Sequence, residues 1–596
     1  MTALDAHYFD DMTLVLKDPA FVDADGGPIT GRLRVPADRL EPGPRSHRFY
    51  VVDLNMTSGK AFPPARPATD KGWKYTDKFW TKKSGDTTAT GPTARTVALN
   101  HDFHAQNVYG IAARTLSVFE AALGRRVPWG FNSHTLFLVP HALEEGNAFY
   151  TRDQQAVLFG YLPGRDRPRL DAIYTCLSHD IVAHEVTHAV LDGLRPRLIG
   201  PGLPEQHAFH EALSDIVAVL SVLSVETTIA RLLTTQFDND APDGRIPKDL
   251  VTRESLADGP LMGLAKEFGS AVTATRRESL RRSVTDLERD DAWKQDPAFR
   301  LVHRLGEVVV AAVLHTYLDI WVERLRPYQE SRFEHLDLDR VAEEGAKAAS
   351  HLLGMVVRAV DYLPPAELEF EDVVDAILAA DETVVPDDSL GYRHKLETEF
   401  ARFGIRRPED NMTTNVSTVQ SKLRYDRLNH SALALSAEEV YRFIWQNMAT
   451  LRLNPRFHIT VDRVVTSRRT GPYGLGQQEI IADYSQAVDV PATRLGTVGL
   501  KRPRVLEAAI ANAKQEDKDP IMVQLRGSGV LVFDEFGRLR QHKRKPIDDH
   551  DRQQRLLDYL TNNALVDSNG NIGFGLRSAA GMRFAQLHSA TQEESW

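Results

Sequence analysis

Two histidines four residues apart with a glutamate between them, His184-Glu185-Val186-Thr187-His188, have residue types and a spacing that suit metal-assisted hydrolysis. They lie in a run with Ile181, Val182, Val186, Ala189, Val190 and Leu191, whose period predicts a helix. On a helix, residues i and i+4 sit one above the other, so both imidazoles project to one side. Two neutral imidazoles one turn apart can span a tetrahedral zinc ion, and the glutamate can reach a metal-held water without ligating. A second segment, His210-Glu211-Ala212-Leu213-Ser214-Asp215, puts Glu211 and Asp215 on one face of another predicted helix. One carboxylate can complete a site of two histidines and one glutamate, while the other holds a ligand imidazole by its second nitrogen. On a stripe otherwise made by Phe209, Leu213, Ile216, Val217 and Val219, two buried carboxylates would be costly without a compensating cation. A solvent-facing pair is the alternative.

HEVTHAVLDG followed by HEALSD resembles the gluzincin metallopeptidases, the thermolysin-like clan with its HExxH and ExxSD signature. Asn147-Ala148-Phe149-Tyr150, ahead of Val157-Leu-Phe-Gly160, is similar to the family's substrate-binding edge. The segment Asp102–Leu123, with His104, Ala105 and Tyr109, is similar to the helix before that edge, and Tyr362-Leu-Pro-Pro365 through Phe403-Gly404-Ile405 resembles the closing helices. The resemblance covers about 95–407 and implies a two-lobed α+β zincin fold, a mixed-sheet lobe plus a helical lobe, that hydrolyses peptide bonds. It implies one zinc ion per chain held by His184, His188 and Glu211, with Glu185 as general base toward a zinc-bound water and Asp215 orienting His184. The Asn147 side chain and the Ala148 carbonyl would hold the peptide backbone. His303, in His303-Arg-Leu-Gly306, would stabilise the oxyanion, although the glycine comes one residue earlier than in the family; an ordinary helix-start histidine is the alternative. Arg281, in Ser279-Leu-Arg-Arg-Ser283, would contact the substrate carbonyl, or simply belong to a solvated basic face. Ile181 and Leu280 are candidates for an apolar first pocket.

The departures also carry expectations. The spacer between His188 and Glu211 is slightly longer than the family's, and its segment 195–204 contains no tyrosine, so the family's tyrosine oxyanion donor is missing or supplied elsewhere. Asp180 matches one carboxylate of the family's calcium pair, but the other falls on Val222, so no calcium site is expected. The GxMEN segment of the related aminopeptidase and epoxide-hydrolase branch is absent.

The elements that must position these residues follow from pattern and composition. The chain has 596 residues, 82 acidic against 72 basic, 42% hydrophobic and 26% charged, an ordinary globular balance long enough for several cores. Its net charge of −10 gives no general attraction to nucleic acid or anionic lipid. One cysteine against 21 histidines excludes an intramolecular disulfide and a cysteine-rich zinc knuckle. The acidic N-terminus does not read as a secretory signal and no apolar run is long enough to span a membrane, so a cytoplasmic protein is expected. Residues 1–94 read as a β-rich region with strands at Leu33–Val35 and Phe49–Leu54. In 95–407, strands at His134–Val139 and Ala156–Tyr161 precede long helices at 177–194, 208–223, 301–324, 338–361 and 370–380. Residues 408–596 read as a separate α+β unit with a flexible tail. There a Ser436–Glu439 capping box opens a helix to about Leu451, strands follow at Phe457–Val465, Glu479–Tyr484 and Val530–Phe533, and Asp534-Glu-Phe-Gly537 turns into Arg538–Arg540.

Weaker signals have plainer readings. Cys176, eight residues before His184, reads as a small buried side chain, a zinc-capping thiolate being the alternative. His207 and His210 compete with Glu211 as ligands. His542-Lys-Arg-Lys545 reads as a solvated strand edge, Gly471-Pro-Tyr-Gly474-Leu-Gly476 as a plain loop, and the sequon at Asn55 is irrelevant without secretion. The sequence thus points to a zinc metallopeptidase acting on a peptide or protein, with no nucleic-acid or membrane partner and no oligomeric state encoded. The alternative, favoured by the missing tyrosine, is a catalytically weak zinc-binding scaffold on the same frame.

Overall fold

Alternating apolar residues near the start of the chain build a hairpin of β1 (Phe9–Val15) and β2 (Thr30–Pro36), in which Met12 opposes Leu33. This computed structural model describes residues 8–16, 29–66, 68–70, 74–81, 90–164, 172–237, 244–258, 287–407, 413–414, 419–470, 476–515 and 521–562. Arg281, Leu280, the Gly471–Gly474 part of the loop and the tail beyond Ser568 lie outside them.

A mixed sheet follows. β3 (Phe49–Val51) runs parallel to β4 (Leu136–Leu143). β5 (Ala148–Thr151) turns back antiparallel on β6 (Ala156–Leu162), which also pairs in parallel with β4 and antiparallel with β7 (Ile173–Tyr174). The strand expected over Phe49–Leu54 is broken in two, with Leu54–Asn55 pairing instead with Lys60–Ala61. At the break the Asp53 carboxylate accepts from His101 and His141, each at 2.7 Å.

The helical part carries the chemistry. α1 (His101–Leu123) opens where the Asn100 side chain accepts from the Phe103 N–H, satisfying one free end donor. α2 (His179–Leu194) holds both motif histidines, and α3 (Pro204–Leu223) starts on a proline whose fixed φ suits a first helical position. α4 (Val302–Gln329), α5 (Leu338–Ala359), α6 (Phe370–Val384) and α7 (Tyr392–Arg402) complete this layer, with α4 and α5 both packed on α3. α2 lies between α1, α3 and β5, buried on every side except at Gly193. A Cβ at Gly193 would sit 1.8 Å from the Pro128 carbonyl oxygen, so only glycine allows that approach. Among the described residues one unbroken helix, Val302–Gln329, is long and apolar enough to cross a membrane, and 89% of its apolar window is buried inside the fold.

The chain after 413 forms an antiparallel meander of β8 (Ile459–Thr470), β9 (Gly476–Pro491), β10 (Met522–Phe533) and β11 (Leu539–Lys545). α8 (Ala437–Asn447), α9 (Arg504–Gln515) and α10 (His550–Asn562) flank it. The capping box forms by half: Ser436 accepts from the Glu439 N–H, but the Glu439 carboxylate takes the Asn429 N–H and Arg442 instead. α8 stops at Asn447, earlier than expected, where that side-chain amide donates to the Arg424 and Phe443 carbonyls.

This part has apolar clusters of its own, yet one face of its sheet joins the main core through Ile481, Val530 and Val532. Ion pairs line the seam. Arg195 reaches Asp483 at 2.5 Å, Arg125 and Arg463 reach Asp361 at 2.6 and 3.1 Å, and Lys543 reaches Asp375 at 2.6 Å. The basic run His542–Lys545 is therefore not a solvated edge. Its His542, Lys543 and Lys545 are buried, and Lys545 pairs with Glu369 and Asp372 of the helical layer.

Candidate metal centre

The helical period of α2 stacks His184 over His188, and α3 brings Glu211 against them. The Nε2 atoms of His184 and His188 lie 2.9 Å apart, and Glu211 oxygens stand 3.6 and 3.7 Å from them. All three donor groups fall within 4.8 Å of one another and are buried. Two imidazole nitrogens and a carboxylate oxygen converging from two helices form a donor set that suits zinc.

The second nitrogen of each ring has a partner that orients it and, in the neutral ring, leaves the other nitrogen for the centre. His184 Nδ1 donates to Asp215 Oδ1 at 2.9 Å, leaving Nε2 with its lone pair toward the centre. Ser214 gives its proton to the His210 carbonyl at 3.0 Å, so its oxygen accepts from His188 Nδ1 at 3.1 Å. His210 stacks on His188 with its own Nδ1 2.8 Å from the same nitrogen, on the side away from the other donors. The group that could hold a metal ion is His184, His188 and Glu211, with His210 packed against His188, and His207 points to the Gly200 carbonyl. Burial pushes the His184 imidazole down, but its hydrogen bonds to the Asp215 and Glu211 carboxylates, with the charges of Asp215 and Glu185, raise it to about 10. That field favours a cation at this spot.

Glu185 is fully buried beside β5, where its Oε2 accepts from the Tyr150 N–H at 3.1 Å. The Tyr150 hydroxyl donates to Asp192 on the next turns of α2 at 2.7 Å, and Arg152 closes the same carboxylate at 2.7 Å. Burial and the Asp192 charge push the Tyr150 phenol up, so it stays a donor. The strand beside the centre is in this way pinned to the helix that carries the motif.

Asn147 stands just before β5, its side-chain oxygen accepting from the Ala148 N–H, and its carbonyl accepts from Gly160. Among the described residues β5 pairs with β6 alone, so no second strand matches its other side, where the Ala148 and Tyr150 N–H groups go to Asn147 and Glu185. His303, in the first turn of α4, comes to 3.2 Å from Glu211 Oε2 and keeps 22% of its side chain exposed. Gly306 explains how: a Cβ there would meet the Ala208 carbonyl oxygen at 2.7 Å, so the glycine lets α4 close on α3. Ile181 is buried, Val222 packs in the core, and Asp180 takes the Ser178 hydroxyl. Cys176 does not join this cluster; its sulfur groups with His104 and His141.

No model of a known protein family matches the chain, and no curated protein matches it significantly.

The sequence reading missed Ser214, His210, Tyr150, Arg152 and Asp192 as supports. Asp192 had a signal, since 185, 188 and 192 recur at helical spacing on one face. The others act through partners distant in sequence.

Proposed function

We propose that the chain is a zinc-dependent metallopeptidase with a thermolysin-like, two-lobed catalytic unit. The observation that carries this is the convergence of His184, His188 and Glu211, each buried and each histidine tied at its second nitrogen, directly beside a buried glutamate. Zinc, when bound by these three residues, supplies Lewis-acid polarisation of the scissile carbonyl. Glu185, held at one oxygen by Tyr150, takes a proton from the attacking water and delivers it to the departing amine. Asp215 and Ser214 keep the two imidazoles in the ligating tautomer. A peptide or protein substrate would pair antiparallel with the unmatched side of β5, where Asn147 and Ala148 offer side chain and backbone. His303, the solvent-facing histidine of the cluster, would donate to the developing oxyanion in place of a tyrosine.

A second reading has its own support. The segment after α2, where the tyrosine would be sought, instead docks the C-terminal part through Arg195–Asp483 and Arg197–Asp462, with Leu203 in that part's core. A catalytically weak zinc-binding scaffold would follow from such a reassignment. Metal analysis and cleavage of a peptide library separate the two. The peptidase reading expects His184→Ala to lose one zinc equivalent, and Glu185→Gln to keep it but lose cleavage. Zinc bound by a wild type that cleaves no member of the library would favour the scaffold.

A further inference from the structure

A second group of buried histidines lies outside the centre described above, and its proton arrangement is unusual. His104 of α1 and His141 of β4 face each other with Nδ1 and Nε2 at 2.8 Å. The other nitrogen of each ring is already committed. His104 Nε2 lies 2.7 Å from the Val97 carbonyl oxygen, which can only accept, so that nitrogen carries the hydrogen. His141 Nδ1 lies 2.7 Å from Asp53 Oδ1, also an acceptor, so it too carries a hydrogen. Two neutral rings therefore point lone pairs at each other. Only a shared proton, making one ring a cation, or a metal ion can hold them there.

Both rings are buried, away from solvent that could separate them. A third donor decides the chemistry. The Cys176 sulfur and one ring nitrogen from each of His104 and His141 lie within 4.8 Å of one another, and the Cys176 side chain is fully buried. Asp53, with His101 on its other oxygen at 2.7 Å, makes ordinary donor–acceptor contacts and supports His141 from outside.

We propose that His104, His141 and Cys176 form a second metal site, closed and structural, that takes a thiophilic divalent ion, zinc by preference. Two imidazoles and a thiolate select zinc over magnesium or calcium, and the thiol proton leaves on binding. The donors come from α1, β4 and the turn Thr175–Leu177 that leads into α2. The ion would therefore clamp the start of the motif helix to the sheet and to α1. This inference does not depend on the peptidase reading.

The test uses cobalt in place of zinc in the full chain, produced in metal-defined medium. The chain has one cysteine, so a thiolate-to-cobalt charge-transfer band in the near ultraviolet can arise only at Cys176. Wild type should show that band with about two metal equivalents per chain, and the His184→Ala/His188→Ala double variant should keep the band with about one. Cys176→Ser should lose the band and keep the metal of the first centre. The wild-type spectrum decides even where that variant does not fold. A cobalt-loaded wild type without the band overturns the site and leaves a shared proton between the rings. A band that vanishes in the double variant overturns it equally, because the sulfur would then belong to the first centre.

Discussion

The two buried histidine clusters each present a pair of facing imidazole nitrogens, Nε2 with Nε2 in one and Nδ1 with Nε2 in the other, in different surroundings. Around His184 and His188 stand Glu185, Glu211 and Asp215, a partly exposed His303, and a strand edge unmatched among the described residues. Around His104 and His141 stand a thiol, a backbone carbonyl and aromatic rings, with Asp53 reached only through the far nitrogen of His141. An open site with a nearby base suits reaction, whereas a closed one suits holding elements together. The comparison teaches that a buried imidazole pair alone does not tell the two kinds of centre apart; the groups beside it make the difference.

The substitution with the largest expected effect breaks the open centre alone. Glu185→Gln should lower kcat/KM for a fluorogenic peptide by about a hundredfold to ten-thousandfold while leaving both metals and the thiolate band in place. A smaller effect comes from the charged seam, where buried carboxylates are paired with arginines and lysines. Asp361→Ala leaves Arg125 and Arg463 facing each other and should cost about 3 to 5 kcal/mol in urea unfolding. Burial would raise the Asp361 carboxyl, but Arg125, Arg463 and Arg195 hold it well below the usual carboxylate range. Its contribution is thus complete above the unfolded value of about 3.9 and is lost as pH falls from there toward the folded value. Wild type should accordingly unfold at lower urea at pH 3 than at pH 5, and Asp361→Ala should show a weaker dependence.

Two milder changes sharpen the contrast between the clusters. Asp215→Asn should weaken zinc at the first centre by about tenfold to a hundredfold in a chelator competition, with the cobalt–thiolate band unchanged. Ser214→Ala removes a neutral acceptor from His188 and should cost only about 0.5 to 1.5 kcal/mol of metal affinity by the same competition.

What was legible in the sequence was local. The period through Ile181–Leu191 and the i, i+4 spacing of His184 with His188 announce a helix with one chemical face, and Glu211 with Asp215 announces a second. The meander after 413 was legible in part, since alternation and the Asp534–Gly537 turn mark its strands, with Gly537 at a φ of 74°. What escaped the reading depends on partners far along the chain. Lys543 and Lys545 read as solvated because Asp375, Asp372 and Glu369 belong to an element much earlier in sequence. Cys176 read as a small buried side chain, which it is, but its grouping with His104 and His141 escaped because they arrive from a helix and a strand whose packing no spacing encodes. Tyr150 is likewise readable as a strand residue but not as the clamp on Glu185 and Asp192.

The most direct test of the central claim is a mass-spectrometric peptide-library digest by zinc-loaded wild type beside zinc-loaded Glu185→Gln. Cleavage by wild type and none above background by the variant is the predicted result. Cleavage at equal rates by both, or none by a wild type that holds zinc at His184, His188 and Glu211, would contradict it.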